Sequence, residues 1–141
     1  MNDIIENKSE RPMWLTIISI VAVLFGIATI KEGGSVLFTE TGKQGAGNYV
    51  PFVLWFNFIA GFAYIMAGVD MFRLKSCSRR LALVIAISTS ILFVALGIHI
   101  FNGGLYEFRT VIAMTIRSGL WIFIAALAFR ANALKPVSCH C

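Results

Sequence analysis

The sequence predicts an all-α integral membrane protein, a bundle of four transmembrane helices. Three observations lead there. The 141 residues are 58% hydrophobic and only 13% charged, with a mean hydropathy of +0.82, which lies outside the range of soluble domains. Four apolar stretches, at about 13–30, 50–69, 81–101 and 110–129, are each long enough for a hydrocarbon core of about 30 Å, which takes roughly 20 helical residues. The period-two alternation of a membrane β-barrel is absent from them, and lipid leaves backbone amides no partner outside a helix. A single domain covering 1–141 results.

The first span follows Lys8 and Arg11. It reads as a retained helix rather than a secretory leader, because its apolar run exceeds an h-region and no small-x-small cleavage pattern follows. It ends in "FGIATIKEGG", where Gly33 and Gly34 are expected to terminate the helix. The segment "TETGKQGAGNY", 39–49, is polar and glycine-rich without a hydrophobic pattern, which predicts a flexible loop or lid. The second span carries Pro51 in its first turn, where the missing amide does no harm, and Tyr49 and Trp55 at a belt position. Its small residues Ala60, Gly61, Ala63, Ala67 and Gly68 recur at helical spacing and serve close helix packing. A basic turn with Arg73, Lys75, Arg79 and Arg80 leads to the third span, which runs into Gly103 and Gly104. The fourth is interrupted by Arg117. The tail 131–141 is expected to be a flexible cytoplasmic segment. Its Cys139, His140 and Cys141 supply three soft ligands where a tetrahedral site needs four, so no metal site is assigned and the cysteines read as palmitoylated or idle.

The net charge of +5 is distributed as a topology signal. Eight basic residues (Lys8, Arg11, Arg73, Lys75, Arg79, Arg80, Arg130, Lys135) flank the spans on one side and three (Lys31, Lys43, Arg109) on the other. The positive-inside rule then places both termini and the turn from Arg73 to Arg80 in the cytoplasm, and this use of the charge excludes nucleic acid as a partner. Cys77, Cys139 and Cys141 all fall on the reducing side, so no structural disulfide is expected and a disulfide-forming membrane enzyme is excluded.

The two hairpins resemble one another. Shifted by 70, Ile30, Gly33, Gly34 and Phe38 fall on Ile100, Gly103, Gly104 and Phe108. Shifted by 57, Ile59, Tyr64, Ile65, Phe72 and Arg73 fall on Ile116, Trp121, Ile122, Phe129 and Arg130. Such a pattern fits two tandem hairpin repeats; it also fits the common endings of unrelated membrane helices.

Polar residues inside the spans are scarce and gather toward the outer half. An arginine at the depth of Arg117 costs about 2.5–3.5 kcal/mol unless it finds water or a partner. One reading lets it snorkel to the surface along its own stem. The other turns it into the bundle to pair with Glu107 or Glu32, with His99, Asn57, Lys31 and Trp121 completing an outward-facing polar pocket. That pocket would suit a quinone, a lipid or a small organic acid, its head held by charge-assisted hydrogen bonds. His99 is the residue able to exchange a proton near neutral pH.

The glycine-bearing end of the first span, "FGIATIKEGG", and the small-residue second span running into its basic turn, "AGFAYIMAGVDMFRLKSCSRRLAL", resemble the DoxX-like family of small four-helix bacterial membrane proteins. The resemblance implies an inner-membrane bundle, sometimes associated with quinone-linked redox complexes. The chain departs from that pattern at Asn57 in "WFNFIAG", where an acidic residue is expected. The leading functional expectation is an accessory or ligand-binding protein, more a binder than an enzyme, with the bilayer, a quinone or lipid ligand and a partner membrane or redox subunit as its associates. A quinone-linked oxidoreductase subunit and an oligomeric transporter or channel are the alternatives. No nucleotide loop or heme attachment motif is present, so any electron-carrying cofactor belongs to a partner. In a cysteine-free background, Gly45→Cys is expected to react with a membrane-impermeant maleimide from the outer face of intact spheroplasts. Labelling only after permeabilisation would reverse the topology.

Overall fold

The computed structural model describes residues 13–73 and 77–132. Among them the chain forms five helices: α1 (Met13–Phe38), α2 (Glu40–Ala46), α3 (Pro51–Phe72), α4 (Cys77–Phe101) and α5 (Phe108–Asn132). All but α2 are long and apolar enough to cross a membrane; even the 22 residues of α3 reach about 33 Å at 1.5 Å each. Their outward faces carry Leu24, Met66, Ile91 and Phe123, each more than half exposed, as lipid contact requires. Cys139, His140 and Cys141 lie outside the described residues.

Each long helix exceeds its apolar span, most of all α1. The expected stop at Gly33 and Gly34 does not occur, because Gly33 is used for packing. It is buried, and a Cβ there would lie 3.3 Å from Phe58 Cβ of α3. α1 therefore continues to Phe38 and breaks only at the extended Thr39 (φ −124°, ψ 130°). α4 ends as expected. Gly103 adopts φ +80°, with its N–H donating to Ile100 O (3.0 Å) and that of Gly104 to His99 O (2.9 Å), the paired bonds of a Schellman cap.

The polar segment expected to be a flexible loop contains α2. The Thr39 N–H donates to Ser35 O and the Lys43 N–H to Thr39 O, both at 3.0 Å. Gly42 sits so close to the Ser35 carbonyl that a Cβ would overlap it, so α2 folds back on the last turns of α1. On its exposed face Lys43 Nζ donates to Glu40 Oε1 at 3.0 Å, and this hydrogen bond with its charge raises the Lys43 pKa above the ordinary lysine value.

The closest packing joins α1 to α3. A Cβ on Gly26 would lie 2.8 Å from Gly61 O; one on Gly61 would lie 3.1 Å from Gly26 O and 2.6 Å from Ile30 Cγ1; one on Gly68 would lie 2.9 Å from Ser19 O. α3 also packs on α4 and α4 on α5, so three of the four seams in the ring α1-α3-α4-α5 are closed by adjacent helices, and only α1/α3 by backbone contact. The fourth, between α5 and α1, is spanned by side chains. Away from the α2 end it is filled by a core including Ala22, Tyr64, Ala67, Met71, Trp121 and Ile124. A smaller cluster of Val50, Val53, Leu96 and Met114 sits nearer α2.

Positions matched between the hairpins share their environments. Buried Ala60, Gly61, Tyr64, Ala67, Gly68 and Met71 correspond, at the shift of 57, to buried Arg117, Ser118, Trp121, Ile124, Ala125 and Ala128. At the shift of 70, Ser19 Oγ donates to Leu15 O as Thr89 Oγ1 donates to Ile85 O, both at 2.9 Å. Where the first hairpin has Gly26 and Gly61, the second has Leu96 and Ser118, which hold α4 and α5 further apart.

Gly61→Ala is expected to destabilise the protein by about 1–3 kcal/mol, since the added methyl meets backbone on a packed face. Gly119→Ala, with nothing within 4 Å, is expected to be neutral or to stabilise α5 by up to about 1 kcal/mol. Denaturant unfolding of both variants in detergent checks the pair; equal effects would contradict the close α1/α3 contact.

Candidate ligand cavity at the seam between α1 and α5

Arg117 stands nine residues after Phe108, the first residue of α5, roughly 14 Å along the helix. It is 7% exposed and shares its helix face with buried Met114 and Trp121. That face turns inward, so the snorkelling alternative does not hold. One terminal nitrogen, Nη2, donates to Thr29 Oγ1 of α1 at 3.3 Å, and Nη1 approaches Met114 Sδ at 3.6 Å. Thr29 can accept because its own hydroxyl proton is directed to Phe25 O at 2.8 Å. The guanidinium carbon lies 5.7 Å from the Phe25 ring centroid and 5.9 Å from that of Tyr64, within cation–π range.

The expected ion pair is not formed. Among the described residues no carboxylate lies within 4.0 Å of Arg117. Glu32 stands three residues beyond Thr29 on α1, one turn further toward the α2 end, and the Glu107 carboxylate approaches Gly47, where a Cβ would lie 2.9 Å from Oε2. A hydroxyl, a thioether and two rings take the place of the carboxylate. Four buried polar atoms nearby have no hydrogen-bond partner in the protein: Arg117 Nε, Asn57 Oδ1, Tyr64 Oη and Trp121 Nε1. Each such group costs about 1–3 kcal/mol if left unmade.

Arg117 forms part of the wall of a cavity of about 580 Å³, within the 300–1,000 Å³ typical of small-molecule sites. α1 contributes Thr29 and Glu32, α3 contributes Val53 and Asn57, and α5 contributes Ala113 and Arg117. Ala46 of α2, Tyr49, Glu107 and Arg109 surround the end nearest the loops. Four of the residues expected to share a site, Arg117, Asn57, Glu107 and Glu32, are brought together here. Three are not. His99 closes the turn after α4, with Nε2 3.3 Å from Leu105 O and its ring edge-on to Phe52; a Cβ on Gly104 would overlap its imidazole. Lys31 is exposed and outside the cavity lining. Trp121 is fully buried behind Arg117, its ring 4.8 Å from that of Tyr64 at 37°.

Sequence reasoning missed Thr29, Phe25, Tyr64 and Arg109. Thr29 and Glu32 are spaced for one helix face, which was a usable signal. Tyr64 was visible only as the counterpart of Trp121 in the repeat, and those two side chains meet.

The fold defines a small multi-pass membrane bundle with a cavity of mixed polar and apolar lining at one end. No family model matches the chain, and no curated protein or solved structure matches it either.

A buried charge without a carboxylate partner is incompletely compensated. Arg117→Met is therefore expected to leave the delipidated protein as stable as wild type or to stabilise it by about 1 kcal/mol or more. Thermal unfolding in detergent checks this, and a destabilisation larger than about 1 kcal/mol would mean that Arg117 is a structural anchor.

Proposed function

We propose that this protein binds an amphipathic ligand in the cavity between α1 and α5, holding a polar or anionic head on Arg117, and acts as a binder or accessory rather than an enzyme. One observation carries the reading: a 7% exposed arginine with an unpaired Nε, on the wall of a 580 Å³ cavity, with no carboxylate in ion-pair range among the described residues. An anionic head would accept a charge-assisted hydrogen bond from the unpaired Arg117 Nε–H. Val53, Leu54 and Ile116 in the lining suit an apolar body.

The charge asymmetry supports cytoplasmic termini, which turns the cavity outward, and the DoxX-like resemblance supports a bacterial inner membrane. The quinone-linked alternative draws on the DoxX-like resemblance; His99, the proton carrier expected for it, lies outside the lining, which leaves that role to Glu32 and Glu107. A channel through one bundle is disfavoured because Tyr64 and Trp121, both fully buried, fill the interior behind Arg117.

Native mass spectrometry with lipid extraction on gently purified protein tests the proposal. Wild type is expected to retain a bound amphiphile, and Arg117→Gln to retain at least about tenfold less, corresponding to the roughly 1.4 kcal/mol or more of a charge-assisted hydrogen bond. Equal ligand content in the two proteins would refute it.

A further inference from the structure

We infer that the ligand is a zwitterionic membrane lipid with a primary ammonium beyond its phosphate, and that it enters sideways through the seam between α1 and α5; this rests on the ligand-binding reading above. The first support is the form of the seam. α1/α3, α3/α4 and α4/α5 are closed by adjacent packed helices, whereas α5 and α1 stand further apart and are bridged by the Arg117 and Thr29 side chains. Two residues lining the cavity, Ala28 of α1 and Ile116 of α5, are also exposed on the bundle surface, and Ile116 remains 58% exposed. Both helices are long apolar membrane spans, so this opening meets lipid. An amphiphile already dissolved in the bilayer can place its head in the cavity while its chains stay in the hydrocarbon, and its apolar part need never cross water.

The second support is the order of charges along the bundle. Arg117 is held at the level of Thr29. Glu32 follows one turn nearer the α2 end, about 4.5 Å on at 1.5 Å per residue, and Glu107 and Arg109 lie beyond it at the loops. The cavity thus presents a cation deep and, above it, the two carboxylates of Glu32 and Glu107 against the exposed cation of Arg109, a layer of net negative charge. A simple anionic head would gain Arg117 but face Glu32 and Glu107 as like charges. A phosphoethanolamine head satisfies both layers, because its phosphate lies nearer the chains and its ammonium further out. The unpartnered atoms agree in kind: Arg117 Nε requires an acceptor and Asn57 Oδ1 requires a donor. A quaternary trimethylammonium has no N–H to give.

The test is native mass spectrometry of the delipidated full chain, titrated with phosphatidylethanolamine, phosphatidylglycerol, phosphatidylcholine and free phosphoethanolamine. Wild type is expected to bind phosphatidylethanolamine at least tenfold more tightly than the other two lipids. Free phosphoethanolamine should compete at least a hundredfold more weakly. Glu32→Gln, an exposed and conservative change, should abolish the preference over phosphatidylglycerol while its unfolding temperature stays that of wild type; Arg117→Gln should weaken all three lipids. Equal binding of phosphatidylethanolamine and phosphatidylglycerol by wild type, both still lost in Arg117→Gln, would overturn the zwitterion and leave the ligand-binding reading standing. Competition by phosphoethanolamine as strong as by the lipid would overturn lateral entry. Lipid binding unchanged in Arg117→Gln would remove the site itself.

Discussion

The glycine-mediated contact between α1 and α3 sets the geometry of this bundle. In lipid there is little hydrophobic gain from pressing one apolar helix on another, so dispersion contacts and the size of interfacial side chains decide how near two backbones come. Gly26, Gly61 and Gly68 remove the side chains that would hold α1 off. Drawn onto α3, α1 is not packed backbone to backbone against α5. The larger Leu96 and Ser118 at the matching positions of the second hairpin keep α4 and α5 apart. The two halves consequently close by different amounts, and the difference appears as a seam. Part of that seam is filled by Tyr64 and Trp121, and the part near α2 is the cavity.

Placing a guanidinium in that seam works against stability. The bundle offers a hydroxyl already committed to a backbone carbonyl, a sulfur and two aromatic faces, which soften the cost of burial without cancelling the charge. Carboxylates were within sequence reach, yet Glu32 stands a turn away and Glu107 is directed to Gly47. A stability-optimised bundle would have paired the charge or replaced it with leucine. On the ligand-binding proposal, the unused donor of Arg117 and the unused acceptor of Asn57 take a partner supplied from outside the chain. Burial is what makes such a site selective, since unsatisfied groups discriminate strongly between ligands that meet them and ligands that do not.

Much of the fold was legible in the sequence because hydropathy acts over whole helices. Four spans, the Gly103 cap and the small-residue face of α3 follow from composition and spacing alone. What escaped depends on single contacts. Gly33 and Gly103 look alike as sequence, yet one packs on Phe58 and the other turns the chain at positive φ; only the neighbour distinguishes them. α2 has no hydrophobic pattern because it is seated by Gly42 against a backbone carbonyl. Within the site, Arg117, Asn57, Glu32 and Glu107 could be gathered because all fall toward the same end of the spans. Depth gives no azimuth, so His99 was assigned to a cavity it does not line, and Trp121 to a wall it stands behind.

The most direct measurement is a crystal structure of wild-type protein grown from a lipidic mesophase, at a resolution that shows side chains. The expected result is an elongated amphiphile lying between α1 and α5, with its head hydrogen-bonded to Arg117 and Asn57 and its chain leaving past Ala28 and Ile116. A seam closed by direct packing of α1 on α5, with Arg117 in an ion pair to Glu32 and no room for a ligand, would contradict it.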